Sequence, residues 1–120
     1  MTTLSSILVA IVGLEHLYIL YLEMFLWTKP AGLKAFGLTP EAAEASKSLA
    51  ANQGLYNGFL AAGLLWSIIY PNPAIGEHIA IFFLLCVIVA ALYGGLTVKR
   101  SILMVQGLPA LIALAVVLLT

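Results

Sequence analysis

Charged side chains are scarce in this chain: Asp, Glu, Lys and Arg make up only 8% of its 120 residues. Soluble domains are about one-quarter charged, so this chain lacks the groups that would cover a water-facing surface. A single cysteine excludes a disulfide scaffold. Five basic residues against five acidic ones, with no Lys/Arg run, exclude nucleic acid as a partner.

Apolar residues are what the sequence has in excess, at 63% of the chain and a mean hydropathy of +1.14. A membrane-spanning helix needs about 20 apolar residues to cross the hydrocarbon core. Four stretches qualify, at about residues 4–27, 40/49–70, 77–97 and 102–119. The sequence therefore predicts an all-α fold, a single domain over residues 1–120 that forms a four-helix transmembrane bundle with the lipid bilayer as its partner.

Two features refine these helices. Thr39-Pro40-Glu41 is typical of a helix start, so the second helix is expected to begin near Pro40 and enter the membrane near Leu49. The motif Lys29-Pro30-Ala31-Gly32 is expected to form a turn after the first helix. Pro109 is expected to kink the last helix, because its ring disrupts the hydrogen bond to the preceding turn.

The basic residues predict an orientation. Lys29, Lys34 and Lys47 lie between the first two helices, and Lys99 and Arg100 lie between the last two. The positive-inside rule makes both of these loops cytoplasmic and puts both termini outside. The expected location is the inner (cytoplasmic) membrane, which the chain crosses several times.

The first helix carries three ionisable residues that are unusual inside a membrane: Glu15, His16 and Glu23. Each costs about 2.5–3.5 kcal/mol at the centre of a spanning helix, so such groups usually face a bundle interior. At 100° per residue, His16 lies about 20° and Glu15 about 80° from Glu23 around the helix. All three are expected in one polar sector.

The second helix carries a matching polar face. It spreads Asn52, Gln53, Tyr56 and Asn57 over about 140°, and its other side shows the small-residue motif Gly54-x-x-x-Gly58. By depth, Glu23 is expected level with Asn52 and Gln53, and His16 level with Asn57. Further residues expected at the cytoplasmic end of the same polar pocket are Tyr93, Arg100 and Gln106.

Several functions remain open for this pocket. As a ligand-binding or catalytic site, it would use Glu15 and His16 for acid–base chemistry and Tyr93 for a hydroxyl. The ligand, small and lipophilic or amphipathic, would contact Glu23, Asn52, Gln53, Tyr56, Asn57, Arg100 and Gln106. The alternatives are a structural or partner-binding module, whose polar groups only fix helix packing, and a proton- or ion-coupled transporter. No metal site is predicted, no cofactor is identified, and whether the protein is an enzyme stays open.

The run from Ala51 to Leu64, with Glu15-His16 and Glu23 upstream, resembles a family of small bacterial membrane proteins known only as a domain of unknown function (DUF1304). That resemblance covers essentially the whole chain and implies four helices but no activity. A weaker likeness is to the microsomal glutathione transferase type (MAPEG). It implies glutathione between subunits of a trimer, with Asn52, Lys47 and Arg100 at the matching positions. Two features differ from that type. The glutamate expected one turn after Asn52 is absent, and those enzymes do not usually carry a Glu-His pair like Glu15-His16 in the middle of the first helix.

An oligomer is expected whichever function holds. The second and third helices carry small residues at helical spacing, Gly54/Gly58 and Ala90/Gly94 among them, which let another helix approach closely. Four short helices leave packing surface to spare, and a polar pocket is better sealed between subunits. The sequence predicts a homo-oligomer and leaves dimer and trimer open.

Overall fold

The computed structural model describes residues 1–120 and is entirely helical, without strands. Two of the helices, the first and the fourth, are by length and composition candidates for membrane-spanning helices. The elements are α1 (Thr3–Phe25), α2 (Pro30–Phe36), α3 (Pro40–Ile69), α4 (Pro73–Thr97), a π-helical turn (Leu103–Gly107) and α5 (Leu108–Leu119).

The helix starts follow from local capping. Thr39 caps α3 as expected, since its Oγ1 accepts a hydrogen bond from the Ala42 N–H at 3.1 Å. Asn72 caps α4 in the same way, with Oδ1 accepting from the N–H groups of Ala74 (3.0 Å) and Ile75 (3.3 Å). Because of this cap, α4 begins at Pro73, one turn earlier than the expected start at residue 77.

The segment after α1 differs from the expected turn. The helix ends at Phe25, and Pro30 then opens a short second helix, α2, with proline in its first turn. Gly37 closes α2 in the left-handed conformation (φ 64°) that favours glycine, and its N–H bonds to the Leu33 carbonyl. A seven-residue helix is too short to show a periodic pattern, so apolar periodicity does not reveal it.

Pro109 changes the backbone in the helical turn that precedes it. The Leu108 N–H bonds to the Leu103 carbonyl, five residues back, and residues 103–107 form a π-helical turn. A proline cannot donate a backbone hydrogen bond and its ring crowds the carbonyl four residues earlier. The wider turn accommodates both effects while the helix continues to Leu119.

The chain forms two compact units, and the boundary crosses both α1 and α3. Unit 1 consists of Met1–Leu14 and Leu60–Thr120, and unit 2 of Glu15–Phe59. The core of unit 1 draws residues from α1, α3, α4 and α5, and the hydroxyls of Thr2 and Thr120 lie 3.3 Å apart. Its fully buried members are Val9, Val12, Leu64, Ala80, Leu84, Val87, Ala110 and Ala113.

Candidate functional site

The polar residues of α1 that belong to unit 2 include two that are almost completely buried. His16 and Glu23 are each 1% exposed, and they are seven residues apart, which is about two helical turns. Between them on the same face lie Ile19 and Leu22, which are also buried. Unit 2 therefore buries two ionisable side chains in one apolar stripe of α1.

Glu23 is held by two amides from α3. The Nε2 of Gln53 donates to Glu23 Oε2 at 2.8 Å, and the Nδ2 of Asn57 donates to Glu23 Oε1 at 2.5 Å. Gln53 and Asn57 are four residues apart, so one turn of α3 presents both amides to the same carboxyl group. We call these three residues the Glu23 cluster.

Two glycines bring the helices close at this cluster. A Cβ atom at Gly54 would lie 2.6 Å from Met24 Cγ and 3.1 Å from Glu23 Cβ. A Cβ atom at Gly58 would lie 2.6 Å from Leu20 Cδ1. The glycines were expected on the side of this helix opposite its polar residues, but they face α1 together with Gln53 and Asn57. The reason is that residues 53, 57, 54 and 58 span only about 140° of a helix.

The remaining polar residues of this stretch of α3 point elsewhere. Asn52 is exposed and makes no hydrogen bond, and Tyr56 is 59% exposed with its ring edge-on to Phe59 at 5.7 Å. Asn57, which was expected to be level with His16, donates to Glu23. The polar face of α3 is thus divided between two residues that bond to Glu23 and two whose side chains make no hydrogen bond.

Glu15 differs from Glu23 in its hydrogen bonding. Its side chain is half-buried, and its Oε1 is the one buried side-chain oxygen or nitrogen in the chain that has no hydrogen-bond partner. Buried polar groups in folded proteins almost always find a partner, so an exception calls for an explanation. Glu15 lies next to His16 in the middle of α1.

Three predicted site residues belong to unit 1. Tyr93 lies near the end of α4 with its side chain 72% exposed, and its backbone carbonyl accepts a hydrogen bond from Thr97 Oγ1. Arg100 is exposed in the connection between α4 and the π-helical turn, without an ion pair. Gln106 is half-buried within that turn. The side chains of these three residues make no hydrogen bonds.

The connection between α1 and α3 holds a group of contacts that the sequence did not reveal. The indole Nε1 of Trp27 donates to Ser46 Oγ at 3.1 Å, and its ring lies 4.8 Å from that of Phe36. A Cβ atom at Gly32 would lie 2.0 Å from the Leu26 carbonyl oxygen, so no other residue fits there. The available signal was Trp27 itself, since a half-buried indole N–H needs a partner.

No group of three or more His, Cys, Asp or Glu side chains is placed where it could hold a metal ion. Unit 1 has two depressions on its surface, and both are lined by apolar residues.

Together these features define an all-helical protein with two candidate membrane-spanning helices and a buried carboxyl cluster between α1 and α3. A family model described as "Protein of unknown function (DUF1304)" matches residues 10–118, and the chain belongs to this family. The "Uncharacterized protein YpaA" of Lactococcus lactis subsp. lactis (strain IL1403) is 37% identical over 116 residues, which cover 95% of this chain and 96% of that protein. No solved structure matches. The predicted family is confirmed, whereas the likeness to the microsomal glutathione transferase type is not supported.

Proposed function

We propose that this protein is an integral membrane protein of the inner membrane that binds a small amphipathic molecule at Glu15 and His16. The bound group would be a hydrogen-bond donor, such as an amine or a hydroxyl, and the rest of the molecule would be apolar. The four crossing segments would be α1, the apolar part of α3, α4, and the π-helical turn with α5.

The membrane location is supported by how little of the apolar helices the fold covers. Only 33% of the most apolar window of α1 and 22% of that of α4 is buried. A core helix of a soluble protein has the same composition but hides most of it. Leu14, Tyr18 and Phe25 on α1 and Phe82 and Val89 on α4 are all more than half exposed. In water this surface would drive aggregation, and a bilayer would cover it.

The proposed topology is supported by the ends of the chain. The hydroxyl groups of Thr2 and Thr120 lie 3.3 Å apart, which fits an even number of crossings because that puts both ends on one side. All five basic residues lie between α1 and the apolar part of α3 or between α4 and the π-helical turn. With the positive-inside rule, both connections would be cytoplasmic and both termini outside. Two variants test this, Thr2→Cys and Lys34→Cys, each made in a background that lacks Cys86. An impermeant maleimide added to intact cells should label the cysteine of the first variant and not that of the second.

The observation that supports ligand binding is the unpartnered Oε1 of Glu15. Leaving a buried polar atom without a partner costs about 1–3 kcal/mol. Every other buried side-chain oxygen or nitrogen in the chain has a hydrogen-bond partner. Hydrogen bonding within the fold therefore does not explain why Glu15 Oε1 is buried. A donor group on a bound molecule would supply the missing hydrogen bond, and His16 next to it would add a second polar contact.

The experiment compares three probes that share a twelve-carbon chain: dodecylamine, dodecanol and dodecane. Each is added to the purified protein in a mild detergent, and the melting temperature is recorded. We expect the amine and the alcohol to raise it and dodecane to leave it unchanged, because only the first two donate hydrogen bonds. Glu15→Leu should remove the response, and the matched control Glu77→Leu, a glutamate of α4, should retain it. Equal responses from Glu15→Leu and wild type would contradict the proposal.

A second candidate function is a structural or partner-binding membrane module, and the Glu23 cluster favours it. Both carboxylate oxygens of Glu23 accept a hydrogen bond within unit 2, and the side chain is almost completely buried, which leaves little access for a ligand. Hydrogen bonds of this kind fix which helices pair in a membrane. This function predicts no response to any of the three probes and a homo-oligomer, dimer or trimer, by native mass spectrometry.

A further inference from the structure

A groove on unit 1 runs between α4 and the segment formed by the π-helical turn and α5. Its floor is made by Ala91 and Gly107, where a Cβ atom on the glycine would lie 3.2 Å from the alanine Cβ. The walls are Ile88 and Leu92 from α4 and Leu103, Met104, Leu108 and Leu111 from the other side. No charged or hydrogen-bonding side chain lines it. The volume of about 170 Å³ is below the 300–1,000 Å³ typical of small-molecule pockets.

Two cations lie beside one end of this groove. Lys99 and Arg100 are both exposed, and the single ion pair of the chain, Lys47–Glu44, involves neither. The last acidic residue of the sequence is Glu77, so nothing in α4 beyond its second turn, or in α5, neutralises them. Their charge is complementary to an anion that the chain does not itself supply.

The backbone fixes the two cations relative to the groove. The Lys99 N–H bonds to the Gly94 carbonyl at 3.0 Å, and the Leu103 N–H bonds to the Arg100 carbonyl at 3.1 Å. Leu103 and Met104 follow Arg100 by three and four residues, which is one helical turn. The apolar groove thus starts about one turn from a pair of basic side chains.

We propose that this groove holds one acyl chain of an anionic phospholipid whose phosphate contacts Lys99 and Arg100. This rests on the membrane location proposed above. A narrow apolar depression suits a hydrocarbon chain, and basic residues at the end of a helix pair suit a phosphate group. A zwitterionic lipid such as phosphatidylcholine would also fill the groove, but its choline cation would be repelled by the two basic side chains, so the net negative headgroup is the specific part of the inference.

The test is photo-crosslinking in reconstituted vesicles. The full-length protein is placed in phosphatidylcholine vesicles that contain a small fraction of phosphatidylglycerol or phosphatidylcholine with a diazirine on one acyl chain. After illumination, labelled residues are mapped by mass spectrometry. We expect the adducts to concentrate on the groove walls, mainly Met104 and Leu108, with at least a fivefold preference for phosphatidylglycerol. A single basic residue near an anionic headgroup contributes about that factor.

The control compares two pairs of lysine and arginine changes. Lys99→Gln with Arg100→Gln should reduce the preference to about one, and Lys29→Gln with Lys34→Gln should leave it unchanged. Labelling spread evenly over exposed helix residues such as Phe82, or equal for both lipids, would overturn the proposal. Loss of the preference on addition of inorganic phosphate, but not of sodium chloride at the same ionic strength, would also overturn it, since the site would then bind free phosphate. Failure of the protein to float with the vesicles would overturn the membrane location as well, which separates the two proposals.

Discussion

Helix α1 carries two carboxyl groups eight residues apart, and the fold treats them differently. Glu23 is 1% exposed, and each of its oxygens accepts a hydrogen bond from an amide of α3. Glu15 is half-buried, and its Oε1 is buried without a partner. Folding accounts for the first residue completely, since its burial and its hydrogen bonds arise together. It does not account for the second, and for that reason we propose Glu15 as the place where a ligand would bind.

The difference follows from the geometry of one helix. Eight residues correspond to a rotation of about 80°, so the two glutamates cannot face the same neighbour squarely. Glu23 faces the glycines of α3, where a Cβ atom at Gly54 would come within 3.1 Å of its own Cβ. That close approach puts the Gln53 and Asn57 amides within reach. Glu15 is rotated by about 80° around the helix axis from that contact, and no amide donates a hydrogen bond to its Oε1.

The largest expected effect comes from removing the bonded glutamate. Glu23→Leu leaves the amides of Gln53 and Asn57 without acceptors, and we expect it to lower the free energy of unfolding by about 2–4 kcal/mol. An SDS titration of the purified protein in mild detergent, followed by circular dichroism, measures this. Tyr18→Leu, a change on the exposed side of α1, is the control and should shift it by less than about 0.5 kcal/mol. Equal stability of the two variants would show that the cluster does not hold α1 to α3.

A smaller loss is expected from separating the helices while the cluster residues stay intact. The methyl group of Gly54→Ala would collide with Met24 and press on Glu23, and we expect a loss of about 1–3 kcal/mol. Gly94→Ala is the matched control, because its nearest neighbours lie at an ordinary 3.4 Å and alanine favours a helix. The same SDS titration applies. A neutral Gly54→Ala would mean that Met24 moves aside and that the close approach is not required.

The sequence predicted part of this site for reasons that can be named. Apolar length and the polar residues within it located Glu15, His16 and Glu23 on one helix, and helical rise placed Glu23 level with Gln53. Periodicity could not tell which half of the polar face of α3 meets α1, because that depends on how the helices are rotated about their axes. In the structure, Gln53 and Asn57 bond to Glu23, whereas the side chains of Asn52 and Tyr56 make no hydrogen bond.

Other features depend on contacts that no local pattern encodes. The helix α2 is fixed by the fit of Gly32 against Leu26 and of Trp27 against Ser46 and Phe36, all of which are tertiary contacts. Pro109 predicted a kink in the last helix. That the irregularity is a π-helical turn depends on how the helix continues on either side. The absence of a partner for Glu15 is a property of the packed molecule and has no signature in the sequence.

Two asparagines on α3 sharpen the comparison at the level of a single hydrogen bond. Asn57→Leu removes one of the two amides from Glu23, and we expect a loss of about 1–2 kcal/mol. Asn52→Leu changes the same residue type on the same helix but at an exposed position without a hydrogen bond, so less than about 0.5 kcal/mol is expected. If both variants lose equal stability, the cost belongs to asparagine on α3 in general and not to the bond with Glu23.

The smallest effect, and the one of opposite sign, is expected at Glu15. In the absence of a ligand, Glu15→Leu removes a buried oxygen that lacks a hydrogen bond, and we expect the free energy of unfolding to stay the same or rise by up to about 1 kcal/mol. Residues that bind or react are often retained at a cost in stability, so a variant that is more stable but no longer responds to dodecylamine would fit a binding role. Glu15→Gln serves as the control, because it keeps a polar group at the same place and should not gain stability. A Glu15→Leu variant that unfolds as easily as Glu23→Leu would erase the contrast between the two glutamates and favour the structural module for both.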